Sequence, residues 1–340
     1  MGNRIEWIDI SKGIGIILVI VGHTITLGYS YPIYAFHMPL FFFLSGLVYK
    51  EKNLSFITYV KSKVRTLLKP WLVIWIISFF VCLLIPQWRQ TLSSQKILEE
   101  LYTANSNNIQ NSSLWYLICF FFVTCLFYFV KDINLKSWRY RLLLLIFAFA
   151  LLWIKEVLHA LHAPLGCLPF KIDSALIALV FYLIAVLYKR PIYEFVTKPK
   201  TYKVVIPLIV LSASLCIFNG WSNINSLDFG RIRILYYPIA FLAILVVCII
   251  SKILSESKFH KIKKVLVFYG ENSLLIFGFQ SLWIRLYLLF FNNLEGLNMV
   301  LYESNPIRHQ VGSFVLVTFV LSPIITYLLL NIRKRNINII

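Results

Sequence analysis

The chain has 340 residues, 59% hydrophobic and 14% charged, with a mean hydropathy of +0.78. A soluble domain carries about 25% charged residues; here apolar runs replace that charge, each long enough to cross a hydrocarbon core about 30 Å thick. A soluble enzyme, a secreted disulfide scaffold and a disordered chain are excluded, and the sequence reads as an all-α polytopic membrane protein.

Ten spans are predicted, at roughly 13–30, 31–49, 66–86, 113–130, 142–155, 172–188, 203–219, 233–251, 267–291 and 311–331. The formal net charge of +19 would suit nucleic acid, but its distribution reports topology instead. Sorted into alternate connections, Lys and Arg number 25 on one side and 8 on the other. The basic side is the cytoplasmic one, so both termini are expected in the cytoplasm. Membrane lipid is the expected partner of the basic loops, and no nucleic acid is. The first run follows Arg4 and Lys12 as a signal peptide would, yet it lacks a small-residue cleavage site, contains His23 and leads straight into the second span.

Spans 1 and 2 form a hairpin through Leu27 to Pro32. Lys50 to Lys69 is basic enough for an amphipathic helix on the inner membrane surface, before Pro70 and Trp71 open span 3. Outer loops are expected at about 87–112, 156–171, 219–231 and 292–310. The polar run Thr103–Ser113 has too little apolar surface to pack alone and is expected as a solvated loop or lid. Glu156, His159 and His162 share a helical stripe beside Pro164 but lack a fourth ligand; they read as a hydrated interfacial turn, and no metal is expected. Cys82, Cys119, Cys125, Cys167, Cys216 and Cys248 form no CxxC pair and read as small buried hydrophobes. No soluble domain and no repeat is evident, so residues 1–340 form a single membrane domain.

An ionisable group inside a span is costly and therefore a functional candidate. Lys12 and His23 are eleven residues apart, about 20° from alignment on one helix face and about 16 Å apart along the axis. Lys12 is expected at the cytoplasmic surface and His23 within the membrane, so an extended ligand with an anionic head and a reactive tip could contact both. If the hairpin turns near Ser30, His37 lies at similar depth to His23, about 10 Å below the outer end. Two imidazoles at one depth suit proton transfer. Asp9 can pair with Lys12 one turn away, or serve as a surface ion pair.

These motifs resemble a known family, the integral-membrane acyltransferase family 3. Its basic residue, ten intervening residues and His are matched by Lys12 and His23, preceded by Asp9-Ile-Ser. Phe36-His37-Met38-Pro39-Leu40-Phe41-Phe42-Phe43-Leu44-Ser45-Gly46 looks like the family's second span almost residue for residue. Arg65-Thr-Leu-Leu-Lys69-Pro70-Trp71, Leu114-Trp115-Tyr116-Leu117 and Gly270-Glu271-Asn272-Ser273-Leu274 are similar to its third, fourth and ninth-span motifs. The resemblance, nearest to the sugar O-acetyltransferase (fucose 4-O-acetylase-like) branch, implies ten spans and transfer of an acetyl group from cytoplasmic acetyl-CoA. The implied acceptor is a hydroxyl of an envelope polysaccharide or lipid-linked glycan, and the implied location a bacterial-type cytoplasmic membrane. Two positions depart from the family pattern. Lys12 stands where Arg is usual and binds phosphate without a bidentate fork; Gln280 stands where a His is frequent and takes no proton-transfer role.

The resemblance then implies donor phosphates near Lys12, Arg65, Lys61 and Lys69, with Asn272 and Ser273 near the donor site. His23 would be general base or transient acyl carrier, with His37 orienting it, stabilising charge or assisting the acceptor. Trp115 and Tyr116 are expected either to stack on sugar or to form an interfacial aromatic belt. Ser45 and Gly46 are expected to serve close helix packing, and acceptor choice to reside in the loops at 87–112, 219–231 and 292–310. Two other classes fit the spans: a proton-coupled exporter of a sugar or lipid-linked glycan, and a sensor or scaffold with a degenerate site.

Overall fold

The structure, a computed structural model, describes residues 5–24, 31–51, 53–131 and 137–294, with 312, 314–321, 323–324 and 327 beyond them. The helices are α1 Glu6–Thr24, α2 Tyr31–Tyr34, α3 His37–Leu47, α4 Phe56–Lys63, α5 Lys69–Leu84, α6 Pro86–Arg89, α7 Ser94–Thr103, α8 Trp115–Val130 and α9 Trp138–Ala150. They continue as α10 Ile154–Ala160, α11 Ile172–Leu187, α12 Lys189–Thr197, α13 Pro199–Tyr202, α14 Val205–Asn219, α15 Tyr236–Glu256, α16 His260–Glu271 and α17 Ser273–Leu294. One small hairpin, β1 Ser222–Asn223 with β2 Asp228–Phe229, pairs antiparallel before α15.

Among the described residues, six helical segments are long and apolar enough to cross a membrane, and a seventh if α16 and α17 count as one span. Pro32–Leu47 and Val205–Asn219 are shorter apolar helices. The described residues therefore do not establish ten spans: part of the expected tenth (311–331), residues 25–30 and 295–310 and both termini lie outside them.

Four expectations need correction. The first helix begins at Glu6, ahead of residue 13, so Asp9 and Lys12 sit inside it. The basic segment 50–69 is not a separate surface helix. It runs through a π-helical turn, Val64–Leu68, into α5 as one 29-residue helix, Phe56–Leu84. Pro70 lacks an N–H and crowds the preceding turn, and the wider π turn just ahead of it accommodates the defect without breaking the helix. The ninth span is instead two helices bent by 82° between Glu271 and Ser273. Finally, the polar run 103–113 is not a solvated lid: Ser106, Asn111 and Ser113 are buried, because the core offers them partners described below.

Packing divides the molecule. α1 lies against α16, α15 and α3, while α11 lies against α3 and α8. Small residues permit these approaches. A Cβ on Gly13 would overlap the Leu266 carbonyl, one on Gly270 the Asp9 carbonyl, and one on Gly46 the Tyr182 carbonyl. The helices 56–84 and 138–160 are peripheral and largely exposed, as lipid-facing helices must be.

Candidate active site

One end of α1 carries the cations. Lys12 Nζ lies 3.3 Å from Asp9 Oδ1, and Asp9 is buried, so the ammonium is tethered one turn from its partner. A cavity of about 190 Å³ opens beside it, lined by Lys12, Ser45, Tyr116, Ser273 and the rings of Phe41 and Phe277 among others. A second cavity of about 670 Å³ lies between α5 and α17, with Arg65, Lys69 and Asn272 at one end and Ile77 and Phe279 at the other. Glu271 and Leu274 line both.

The bend explains why these residues converge. Asn272 closes α16, its Nδ2 donating to the Phe268 carbonyl at 2.8 Å, while its own carbonyl accepts from Leu275 and Ile276 at 3.0 and 3.1 Å. Ser273 then starts α17 at the cavity wall. A helix N-terminus beside Arg65, Lys69 and Lys12 favours an anion there.

His23 and His37 lie toward the other end of α1. His23 Nδ1 is 2.8 Å from the Val19 carbonyl and His37 Nδ1 is 2.7 Å from the Ile33 carbonyl, each four residues back. A carbonyl oxygen only accepts, so each Nδ1 carries the proton and donates. In its neutral form each ring then keeps its lone pair on Nε2, the arrangement a general base or a nucleophile needs. Tyr34 stands between the two rings, 5.0 Å from His37 edge-on and 6.1 Å from His23, and its hydroxyl donates to the Gly22 carbonyl at 2.9 Å.

The structure thus gathers Lys12, Ser45, Tyr116 and Ser273 at one cavity and Arg65, Lys69 and Asn272 at the next. Asp9 pairs with Lys12. Ser45 lines the cavity, and Gly46 makes a close contact with the Tyr182 carbonyl. Lys61 is exposed on α4 and lines neither cavity. Trp115 and Tyr116 form no interfacial belt: they are 5% and 9% exposed, and Tyr116 packs against Phe41, Phe42, Phe120 and Phe277. Neither histidine lines these two cavities.

A buried polar cluster escaped the sequence reading. Asn111 Nδ2 donates to Ser78 Oγ at 2.9 Å and to the Gly278 carbonyl at 2.8 Å. Gln280 Nε2 donates to Ser113 Oγ at 3.1 Å, and Ser113 bonds Ser281. Gln280 therefore stitches α17 to the turn that starts α8. In the segment 154–171, Glu156 is paired with Arg233, and His159 rests against Gly166.

A family model described as an acyltransferase domain, that of acyltransferase family 3, matches residues 5–328. No curated protein and no solved structure matches the chain. With the match running from α1 to beyond α17, this multi-pass membrane protein belongs to acyltransferase family 3.

Proposed function

We propose that the protein is an O-acetyltransferase that moves an acetyl group from cytoplasmic acetyl-CoA to a hydroxyl of an envelope polysaccharide or a lipid-linked glycan. The observation that carries this reading is the Nδ1 bond of His23 to the Val19 carbonyl, which leaves Nε2 as the basic atom. Lys12, on the same face of α1 about 16 Å away along the axis, marks the donor end.

In this reading the Lys12 end faces the cytoplasm of a bacterial-type membrane. Arg65 and Lys69, with the α17 N-terminus, hold the donor phosphates, and the pantetheine arm enters by the aromatic-walled cavity beside Lys12 and runs along the Lys12–His23 face to bring the thioester to His23. His23 Nε2 takes the proton of the acceptor hydroxyl as its oxygen attacks the thioester carbonyl. The carbon–sulfur bond breaks, and the thiolate leaves with the proton returned by the imidazolium, giving the ester and free CoA. In the acyl-carrier variant, Nε2 itself attacks the carbonyl and the CoA thiolate leaves; the hydroxyl then takes the acetyl from the imidazole and its proton passes to the thiolate, giving the same ester and free CoA. His37 orients the acceptor side and stabilises charge.

The test uses the full chain in lipid vesicles with acetyl-labelled acetyl-CoA and a glycan extract of its native membranes. Base-labile label in the glycan, dependent on His23, is expected. Glycan movement across the membrane without any need for acetyl-CoA would overturn the reading in favour of a transporter.

A further inference from the structure

The outer segment 219–231 was expected as a polar loop without a decodable motif, yet it is a braced hairpin. Asn219 Nδ2 donates to the Phe229 carbonyl at 3.0 Å, and its Oδ1 accepts from Ile232 N at 2.9 Å. Lys155 Nζ meets Asp228 Oδ1 at 2.7 Å, Lys171 Nζ donates to the Asn225 carbonyl at 3.0 Å, and Ser174 Oγ donates to the Ile224 carbonyl at 3.1 Å. Gly220, at φ +76°, makes the turn into the hairpin in a conformation that a side chain would strain.

This bracing holds Trp221 in place with 39% of its surface exposed. Its ring lies 4.6 Å from that of Tyr34, tilted by 41°. Tyr34 is the ring that touches both His37 and His23. An unbroken aromatic path therefore leads from an exposed indole to the two imidazoles. Arg231 runs alongside: its Nε lies 3.9 Å from where a Cβ of Gly220 would stand. Arg231 is exposed and its side chain makes no ion pair among the described residues.

We propose that Trp221, backed by Tyr34 and flanked by Arg231, is the acceptor platform of the transferase. The ligand class is a sugar ring, whose flat C–H face stacks on the indole while Arg231 donates to its ring oxygens. Ligand sites combine such apolar, aromatic surface with a few placed polar groups, and a tryptophan presents a large apolar face with little rotamer freedom to lose. The inference rests on the carbohydrate-acceptor reading above. The rival role for an exposed Trp here is an interfacial anchor, which would sense lipid and not acceptor.

The test measures label transfer from acetyl-CoA to the native-membrane glycan extract, varying donor and glycan separately. The proteins are wild type, Trp221→Ala, Trp221→Phe and Arg231→Gln, all full length in vesicles. Trp221→Ala is expected to raise the half-saturating glycan concentration about tenfold, as loss of one good stacking contact would, with the acetyl-CoA KM unchanged. Trp221→Phe restores most of the loss, and Arg231→Gln shifts glycan saturation alone. Unchanged glycan saturation in Trp221→Ala, or an equal shift in both KM values, overturns the platform while leaving the transferase intact. If Trp221→Ala does not fold, Arg231→Gln decides by the same split. Wild type that labels no glycan in a His23-dependent way removes the carbohydrate reading itself, and the platform with it.

Discussion

The Lys12 end and the His23 end of α1 are built by opposite means. At the Lys12 end, close backbone contact between α1 and α16 and a sharp bend at Asn272 bring charges from three helices around two cavities. At the His23 end, among the described residues, the ring cluster is two imidazoles bonded to their own helices and touching one tyrosine, which in turn touches a tryptophan. The difference suits the proposed division of labour: cations beside a helix N-terminus favour an anionic donor, and imidazoles oriented by their own helices suit proton transfer.

The strongest way to break that contrast is to remove the second imidazole. His37→Ala should lower kcat by about 10²-fold or more if the ring assists proton transfer, and leave the acetyl-CoA KM alone. A matched rise in KM would mean that the two ends are not separable.

The polar segment 103–113 offers a pH test. Glu100 accepts the Asn108 amide and is buried, which pushes its carboxyl from 4.5 up to about 7, the amides of Asn108 and Ile109 partly opposing the shift. Folding therefore favours the protonated form. This contribution is fully present below about pH 4.5 and is lost as the pH rises through 7. Thermal unfolding in detergent should show stability falling by about 2–3 kcal/mol across that window, and Glu100→Gln should flatten the fall. An identical slope in both proteins would contradict the burial account.

Packing at the Lys12 end comes next. Gly270→Val would drive a side chain into the Asp9 carbonyl, and overpacking of this kind costs about 1–3 kcal/mol. The unfolding midpoint should fall and the acetyl-CoA KM rise, since the displaced turn carries Lys12's partner. The smallest effect separates the phosphate cations from the rest. Arg65→Ala with Lys69→Ala should raise the acetyl-CoA KM about tenfold while sparing kcat. With acetyl-pantetheine, which lacks the phosphates, the double variant should match wild type; a difference there would deny the cations their assigned ligand.

How much of this was legible in the sequence follows from what each feature depends on. Asp9, Lys12 and His23 stand out because charge is rare in an apolar run, and helix geometry alone places them on one face. The helix-forming apolar runs were legible for the same reason, since they need only local composition. The bend at Asn272 and the π turn before Pro70 replace regular spans by distortions that composition averages away. Asn111 finds Gly278, 167 residues distant in sequence, and Trp221 finds Tyr34. Such pairings leave no local period to read, so the polar run looked solvated and the hairpin looked featureless.

The most direct test of the central claim is to measure acetyl-CoA affinity and acetyl transfer on one preparation of His23→Ala in lipid. Wild-type affinity is expected, since in the proposed reading the donor sits at the other end of α1, with transfer reduced by about 10³-fold through loss of the proposed base. Transfer at the wild-type rate would contradict it, and the chemistry would then have to lie elsewhere than at Nε2 of His23.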